Sequence, residues 1–211
     1  MKRFTFFFLL ACMLTLQAWG QTKLTAEQQK QILEKIDKSA SKTTSMQCTF
    51  TQTKSMKMLS KKMQSKGVMY FKRPNKLRWQ YTAPYDYTFV LNNDKVRIKS
   101  TKSTQEINVQ GNKIFRQITS IILNSVTGGG LKSSSDFQVE IYKSDNSYFA
   151  KLYPKKKEVK QIYSVIEIGF NAQLSMVSTV KMVEKTGDET LVTLSNVKQN
   201  AAIDEKMFDI H

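Results

Sequence analysis

The chain is short of the residues from which active sites are usually built. Its single histidine, His211, is the last of 211 residues, and it has two cysteines, Cys12 and Cys48. One terminal imidazole cannot serve a catalytic triad without folding back, and it cannot complete a tetrahedral zinc site. Acidic residues are scarce as well, 17 against 33 Lys and Arg. Glu34, Asp86, Glu106, Glu158 and Glu184 are scattered rather than paired as in a glycosidase. Gly128-Gly129-Gly130 lacks the lysine pattern of a phosphate-binding loop. No catalytic residue, metal or cofactor is expected, and the chain does not read as an enzyme.

The first twenty residues read as a secretory signal peptide rather than as fold. Lys2 and Arg3 open it, an apolar run from Phe4 to Leu16 follows, and Ala18-Trp19-Gly20 supplies small residues for cleavage. Residues 21–211 then form a single domain, with no internal repeat, second core or linker. A rival reading takes Leu9-Leu10-Ala11-Cys12 as a lipoprotein box, with Cys12 acylated. Against it, the apolar run continues past Cys12, where a mature lipoprotein turns polar. No later segment approaches the ~18 apolar residues of a transmembrane helix. With the signal removed, Cys48 stands alone between Met46 and Phe50 on one strand face, most simply as a small buried hydrophobe.

Loss of Lys2 and Arg3 lowers the formal charge from +16 to +14. Export makes a nucleic-acid partner implausible, and the aromatics lie on alternating strands rather than in an RNA-binding signature. An anionic membrane surface is a possible partner for such a chain, although a lysine-rich solvated surface explains most of the charge. Met56, Met58 and Met63 sit among Lys54, Lys57, Lys61, Lys62 and Lys66, a mixture hard to bury. Pro154 to Lys160 is a basic cluster that reads as a hairpin tip.

What is present is period-two alternation. Thr25-Ala26-Glu27-Gln28 is a capping box opening an amphipathic helix with Ile32, Leu33, Ile36 and Ala40 on one stripe. Strands are expected at 45–53, 66–73, 76–82, 86–92, 95–99, 104–109, 136–142, 148–153, 160–170, 173–184 and 189–197. Only one interruption is long enough for a crossover helix, so the sheet is antiparallel. That interruption, Ile114 to Val126, is apolar around more than one helix face and ends at the triple glycine, so it must be covered nearly all round or press into an apolar concavity.

The stretch Gly67-Val68-Met69-Tyr70-Phe71-Lys72-Arg73-Pro74-Asn75-Lys76-Leu77-Arg78-Trp79 resembles the periplasmic lipoprotein-carrier family, LolA, in its run Gly-x-apolar-x-apolar-Lys-Arg-Pro-Asn-x-apolar-x-Trp. The likeness extends upstream through Met46 to Gln52 and downstream through Pro84 and Phe89 to Lys95. It returns at Asn200 to Asp204, Phe208 and Ile210. It departs from the family's pattern at Lys95-Val96-Arg97-Ile98-Lys99, which puts the detail of that edge in doubt. The resemblance implies an α+β, mainly β fold: one curved antiparallel sheet forming an incomplete half β-barrel, closed by a helical lid over a hydrophobic cavity. Its expected lining is Met69, Phe71, Leu77, Trp79, Phe89 and Leu91 from the sheet, and Phe115, Ile118 and Ile122 from the lid, with Leu77 near the rim. Arg73 would latch the closed lid by resemblance, although an arginine at a strand end could also simply reach solvent. The implied role is a monomeric periplasmic carrier of acylated lipoproteins, passing from an inner-membrane releasing transporter to an outer-membrane acceptor. Alternatives are a same-fold binding module for a glycolipid or fatty acid, or a membrane-anchored acceptor if Cys12 is lipidated. Mass spectrometry of the exported protein should find an N-terminus at Gln21, and an acylated Cys12 would overturn the soluble reading.

Overall fold

The structure is a computed structural model that describes residues 21–108, 123–124, 127–145 and 147–209. The expected signal peptide, Cys12, His211 and all of the expected lid helix except Leu123 and Asn124 lie outside the described residues, and with them Phe115, Ile118 and Ile122.

The alternation seen in the sequence folds as one open, curved antiparallel sheet of twelve strands. In chain order these are β1 (Thr22–Lys23), β2 (Ser45–Met56), β3 (Lys61–Lys72), β4 (Lys76–Ala83), β5 (Tyr87–Asn92), β6 (Lys95–Ser100), β7 (Thr104–Asn108), β8 (Phe137–Ser144), β9 (Ser147–Pro154), β10 (Tyr163–Phe170), β11 (Val177–Glu184) and β12 (Glu189–Gln199). The spatial order is β1-β8-β9-β10-β11-β12-β2-β3-β4-β5-β6-β7, so β1 and β7 are the open edges. Helix α1 (Ala26–Lys42) precedes the long strands, α2 (Lys157–Ile162) sits between β9 and β10, and a 3-10 turn (Glu205–Phe208) ends the described chain.

Strand register aligns the apolar residues into rows on the inner face. One row runs Met46, Phe71, Leu77, Leu91, Val96, Ile107 from β2 to β7, and the next runs Cys48, Met69, Trp79, Phe89, Ile98. The other half of the sheet continues the surface with Ile141, Ala150, Ile168, Val180 and Val192. Ile32 and Ile36 of α1 join the same core. The capping box forms as its sequence requires, with Thr25 Oγ1 accepting from Gln28 N and Gln28 Oε1 from Thr25 N.

Several expectations are corrected. The 160–170 strand starts only at Tyr163: residues 157–162 are a helical turn anchored by buried Val159, because no inward alternation exists in that lysine run. Pro154 to Lys160 does lie in the connection between the antiparallel pair β9 and β10, but that connection contains a helical turn, and Lys156 pairs with Asp136 at 2.6 Å. Residues 173–176 form a turn, held where the Asn171 carboxamide oxygen accepts from Ser175 N and Met176 N, so β11 starts at Val177. The expected strands 45–53 and 66–73 are longer than read: β2 and β3 pair without interruption from Ser45↔Lys72 to Met56↔Lys61, and only residues 57–60 form the turn. The 95–99 segment, in doubt as an edge, is an ordinary strand with Val96 fully buried.

Gly67 shows how tightly the inner face is filled. Phe50 stacks on Trp79 with ring centroids 4.2 Å apart and meets Tyr81 edge-on at 5.2 Å. A Cβ on Gly67 would lie 2.1 Å from Gln80 O and 2.4 Å from Phe50 Cζ. The backbone oxygen cannot rotate away, so Gly67→Ala should destabilise the fold by about 1–3 kcal/mol. A urea midpoint unchanged from the parent would refute this packing.

Candidate functional site

The inner face is the candidate site, and its cover is α1. The helix is held at both ends. Near its start, Gln29 Nε2 donates to Leu24 O at 2.8 Å, and Gln29 Oε1 accepts from Ile141 N at 3.0 Å, which ties it to β8. Near its end, Ser39 Oγ donates to Ser175 O at 2.9 Å. Arg73 completes the attachment: Nε donates to Thr43 O at 2.7 Å and Nη2 to Ala40 O at 2.8 Å, while its backbone N–H donates to Thr44 O. These carbonyls belong to the last turn, where helical partners run out and the dipole is negative, so a guanidinium suits them. Arg73 is exposed overall, so the contact lies at the rim rather than in the core.

Gly128 presses the far segment onto the same helix. Its amide donates to Asn124 O at 2.7 Å, and its φ of +70° is the left-handed value expected where glycine ends a helix. A Cβ there would come within 2.8 Å of Phe170 and 3.4 Å of Ile36.

The six sheet residues expected to line a cavity do share one face. Four of them are packed core: Met69 and Leu77 are 0% exposed, Leu91 1% and Phe71 2%. Leu77 is thus no rim residue, and a charge placed there would be buried at several kcal/mol rather than reach water. Trp79 and Phe89 are only partly buried, as are Tyr81, Ile98 and Ile107, which extend the same rows. Neither Ile98 nor Ile107 is among the expected lining residues; the alternation of Ile98 with Val96 carries the signal for the first, whereas Ile107 stands alone beside polar Gln105.

The interior is graded along the strands. Near Arg73 the rows are apolar from Met46 to Ile107, with Gln199 beside Met46 as a polar member that donates to Thr43 Oγ1 and Ser175 O. Toward the opposite end the inward positions become Gln52 and Ser65, paired in register, where Tyr81 OH donates to Gln52 Oε1 at 2.8 Å and Ser65 Oγ meets Tyr85 OH at 3.1 Å. Lys54 then faces Glu184 at 3.3 Å. Burial raises the pKa of Tyr81 and Tyr163 above the ordinary phenol value, so both stay neutral donors. Burial also pushes the Cys48 thiol up to about 12, which keeps it protonated and unreactive. A surface of this kind can hold an apolar chain with a polar end, and among the described residues it offers no nucleophile.

A separate cleft of about 360 Å³ opens on the outer face, lined by Arg78, Thr88, Val90, Arg97 and Lys99. These residues alternate with Leu77, Leu91 and Val96, so the cleft does not communicate with the inner rows. Beside it, Arg78 Nη1 donates to Met207 O and Asn92 Nδ2 to Phe208 O, fastening the closing 3-10 turn over the outer face.

Comparison with known proteins bears on this face. Residues 41–211 match the family model described as outer membrane lipoprotein carrier protein LolA. The outer-membrane lipoprotein carrier protein of Pseudomonas paraeruginosa is 25% identical over 142 residues, 67% of this chain and 65% of its own length. The chain thus spans about two-thirds of that relative. The namesake from Methylococcus capsulatus is 24% identical over 164 residues, 77% of this chain and 75% of its own. Among solved structures, an uncharacterized conserved protein from Thermus thermophilus superposes with a TM-score of 0.51 at 9% identity, over 85% of this chain and 92% of its own. That likeness concerns the fold alone.

Arg73→Leu should loosen α1. Hydrogen bonds from a charged donor contribute about 1 kcal/mol at a wet rim, so exchange of the amides of residues 38–42 should accelerate about fivefold. Unchanged exchange in α1 would show that Arg73 contributes nothing to its seating.

Proposed function

This chain belongs to the outer membrane lipoprotein carrier protein family, LolA, and we propose from that premise that it is a periplasmic lipid-binding carrier rather than an enzyme. Its cargo would be the acyl chains of lipoproteins, collected from an inner-membrane releasing transporter and delivered to an outer-membrane acceptor. The observation that carries this reading is the inner face itself: continuous apolar rows across an open sheet, covered by a helix whose attachment is largely peripheral. Each methylene moved from water into such a surface gains about 0.8 kcal/mol, so an acylated anchor needs a sheltered route across water.

In this reading Met69, Phe71, Leu77 and Leu91, which share one core with Ile32 and Ile36 of α1, are the surface that cargo would come to occupy. Opening requires α1 to leave those rows, and Arg73 acts as the latch that sets the balance. Trp79, Phe89 and Tyr81 make up the partly covered surface that an entering chain meets first. Phe115, Ile118 and Ile122, from the segment before the triple glycine, are proposed as further lining.

Trp79 gives a direct test, because the other tryptophan is Trp19 in the expected signal peptide. A protein beginning at Gln21 retains every described element and carries Trp79 alone. A diacylated lipopeptide with bromine on its acyl chains should quench Trp79 emission, and its unbrominated twin should not. Emission unaffected by the brominated peptide would sink an interior acyl site. Mass spectrometry of co-purified lipid separates lipoprotein acyl chains from a glycolipid or fatty-acid cargo.

A further inference from the structure

The antiparallel register places one set of strand ends together. Met56, Lys61, Ala83, Tyr87, Pro154, Tyr163, Glu184 and Glu189 all end or begin their strands on the side away from Arg73. The connections at this end are residues 57–60, 84–86, 101–103, 155–162 and 185–188. The six large hydrophobic side chains that are exposed among the described residues are all found here: Met58, Leu59, Met63, Tyr85, Ile162 and Leu191. None of the six lies at the opposite end, where Arg73 and the last turn of α1 sit.

The β2–β3 hairpin dominates this end. β4 follows β3 only as far as Lys66, so the hairpin projects beyond that neighbour, whereas β12 follows β2 to Ser55. The tip is nevertheless held: Lys57 N donates to Asp188 Oδ1 at 3.0 Å. Met58 is 93% exposed and Leu59 66%, on a turn whose Ser60 takes a φ of +47°. Two aliphatic side chains left in water at the end of a braced hairpin call for a partner.

We propose that this end of the molecule is a membrane-docking surface, with Met58 and Leu59 entering the headgroup–acyl boundary of an anionic bilayer. The charge around the tip selects that occupant. Lys57, Lys61 and Lys62 flank it, Lys102, Lys155 and Lys185 stand on the neighbouring turns, and lysines beside an apolar tip meet anionic headgroups as the tip inserts. Tyr85, at the adjacent turn, adds an amphipathic ring of the kind enriched at membrane interfaces. A folded protein partner would need a pocket matched to a protruding pair of flexible side chains, whereas a lipid surface deforms around them. Docking in this pose brings the end of the interior that carries Gln52, Ser65 and Tyr81 to face the lipid, whatever the interior holds.

The test uses the protein beginning at Gln21 and phosphatidylglycerol–phosphatidylcholine vesicles. The parent should cosediment with them at low salt, and the double variant Met58→Ser, Leu59→Ser should bind about tenfold more weakly. Its thermal midpoint and its quenching by brominated lipopeptide should match the parent, which separates a failure of docking from a failure of cargo binding. A second variant, Lys57→Gln with Lys61→Gln and Lys62→Gln, should lose binding at low salt and lose little beyond the parent at high salt. A parent that ignores anionic vesicles, a serine variant that binds as well as the parent, or equal binding to pure phosphatidylcholine overturns the proposal.

Discussion

An apolar face on an open sheet must be covered, and that constraint organises this molecule. Twelve antiparallel strands leave β1 and β7 unpaired at the edges, so the sheet cannot bury its inner rows by closing on itself. Cover comes from α1, whose Ile32 and Ile36 enter the same core as Met46, Phe71 and Ile168. A helix offers only a stripe of apolar surface, whereas the rows from Met46 to Ile107 are wider than one stripe. The remainder, Trp79, Phe89, Tyr81 and Ile98, stays partly buried. Among the described residues α1 thus covers this surface incompletely, and such a surface suits an apolar ligand.

The attachment of the cover is divided by its chemistry. Its apolar stripe is held by burial, and its ends by hydrogen bonds: Gln29 to the β8 edge, Ser39 to Ser175, and Arg73 to the carbonyls of Ala40 and Thr43. A guanidinium at a helix C-terminus is favourable but partly solvated, so its contribution is about 1 kcal/mol rather than the larger value of a buried pair. Such a contact can shift a closed–open ratio by about fivefold, but it cannot set affinity. An acyl chain of about sixteen carbons gains on the order of 10 kcal/mol on burial. A contact of this size could tune access to the inner face, whereas a buried acyl chain would leave it only for a second apolar environment.

How much of this was legible in the sequence follows from what alternation encodes. Period two assigns a residue to a face, so the strands from Ser45 to Gln199 and the shared face of Met69, Leu77 and Trp79 could be read directly. It does not encode depth, which is why alternation points Leu77 to a rim although it is fully buried. The turn Lys157–Ile162 was missed because one apolar anchor, Val159, makes no period at all. β1 was missed because two exposed residues carry no pattern. Gln52 and Ser65 look like defects in the inward register when read along one strand. Only pairing across β2 and β3 shows that they and Tyr81 mark a change of character along the interior.

That change of character gives the molecule a direction. At one end lie the last turn of α1, Arg73 and the apolar row from Met46 to Ile107, with no large hydrophobic side chain exposed among the described residues. At the other, the interior turns polar through Gln52, Ser65 and Lys54, and the surface carries exposed Met58, Leu59 and Tyr85 among lysines. Burying a carboxamide and a hydroxyl on an otherwise apolar face costs stability unless each is bonded, and here each is bonded to a tyrosine hydroxyl. A core under selection for stability alone would place aliphatic residues at these positions. A graded interior instead matches a ligand that is itself graded, apolar along most of its length and polar where it ends. Arg73, bonded to the end of α1, and the exposed tip at Met58 and Leu59 thus stand at opposite ends of one axis, so a contact made at the tip need not disturb the bonds that hold the helix in place.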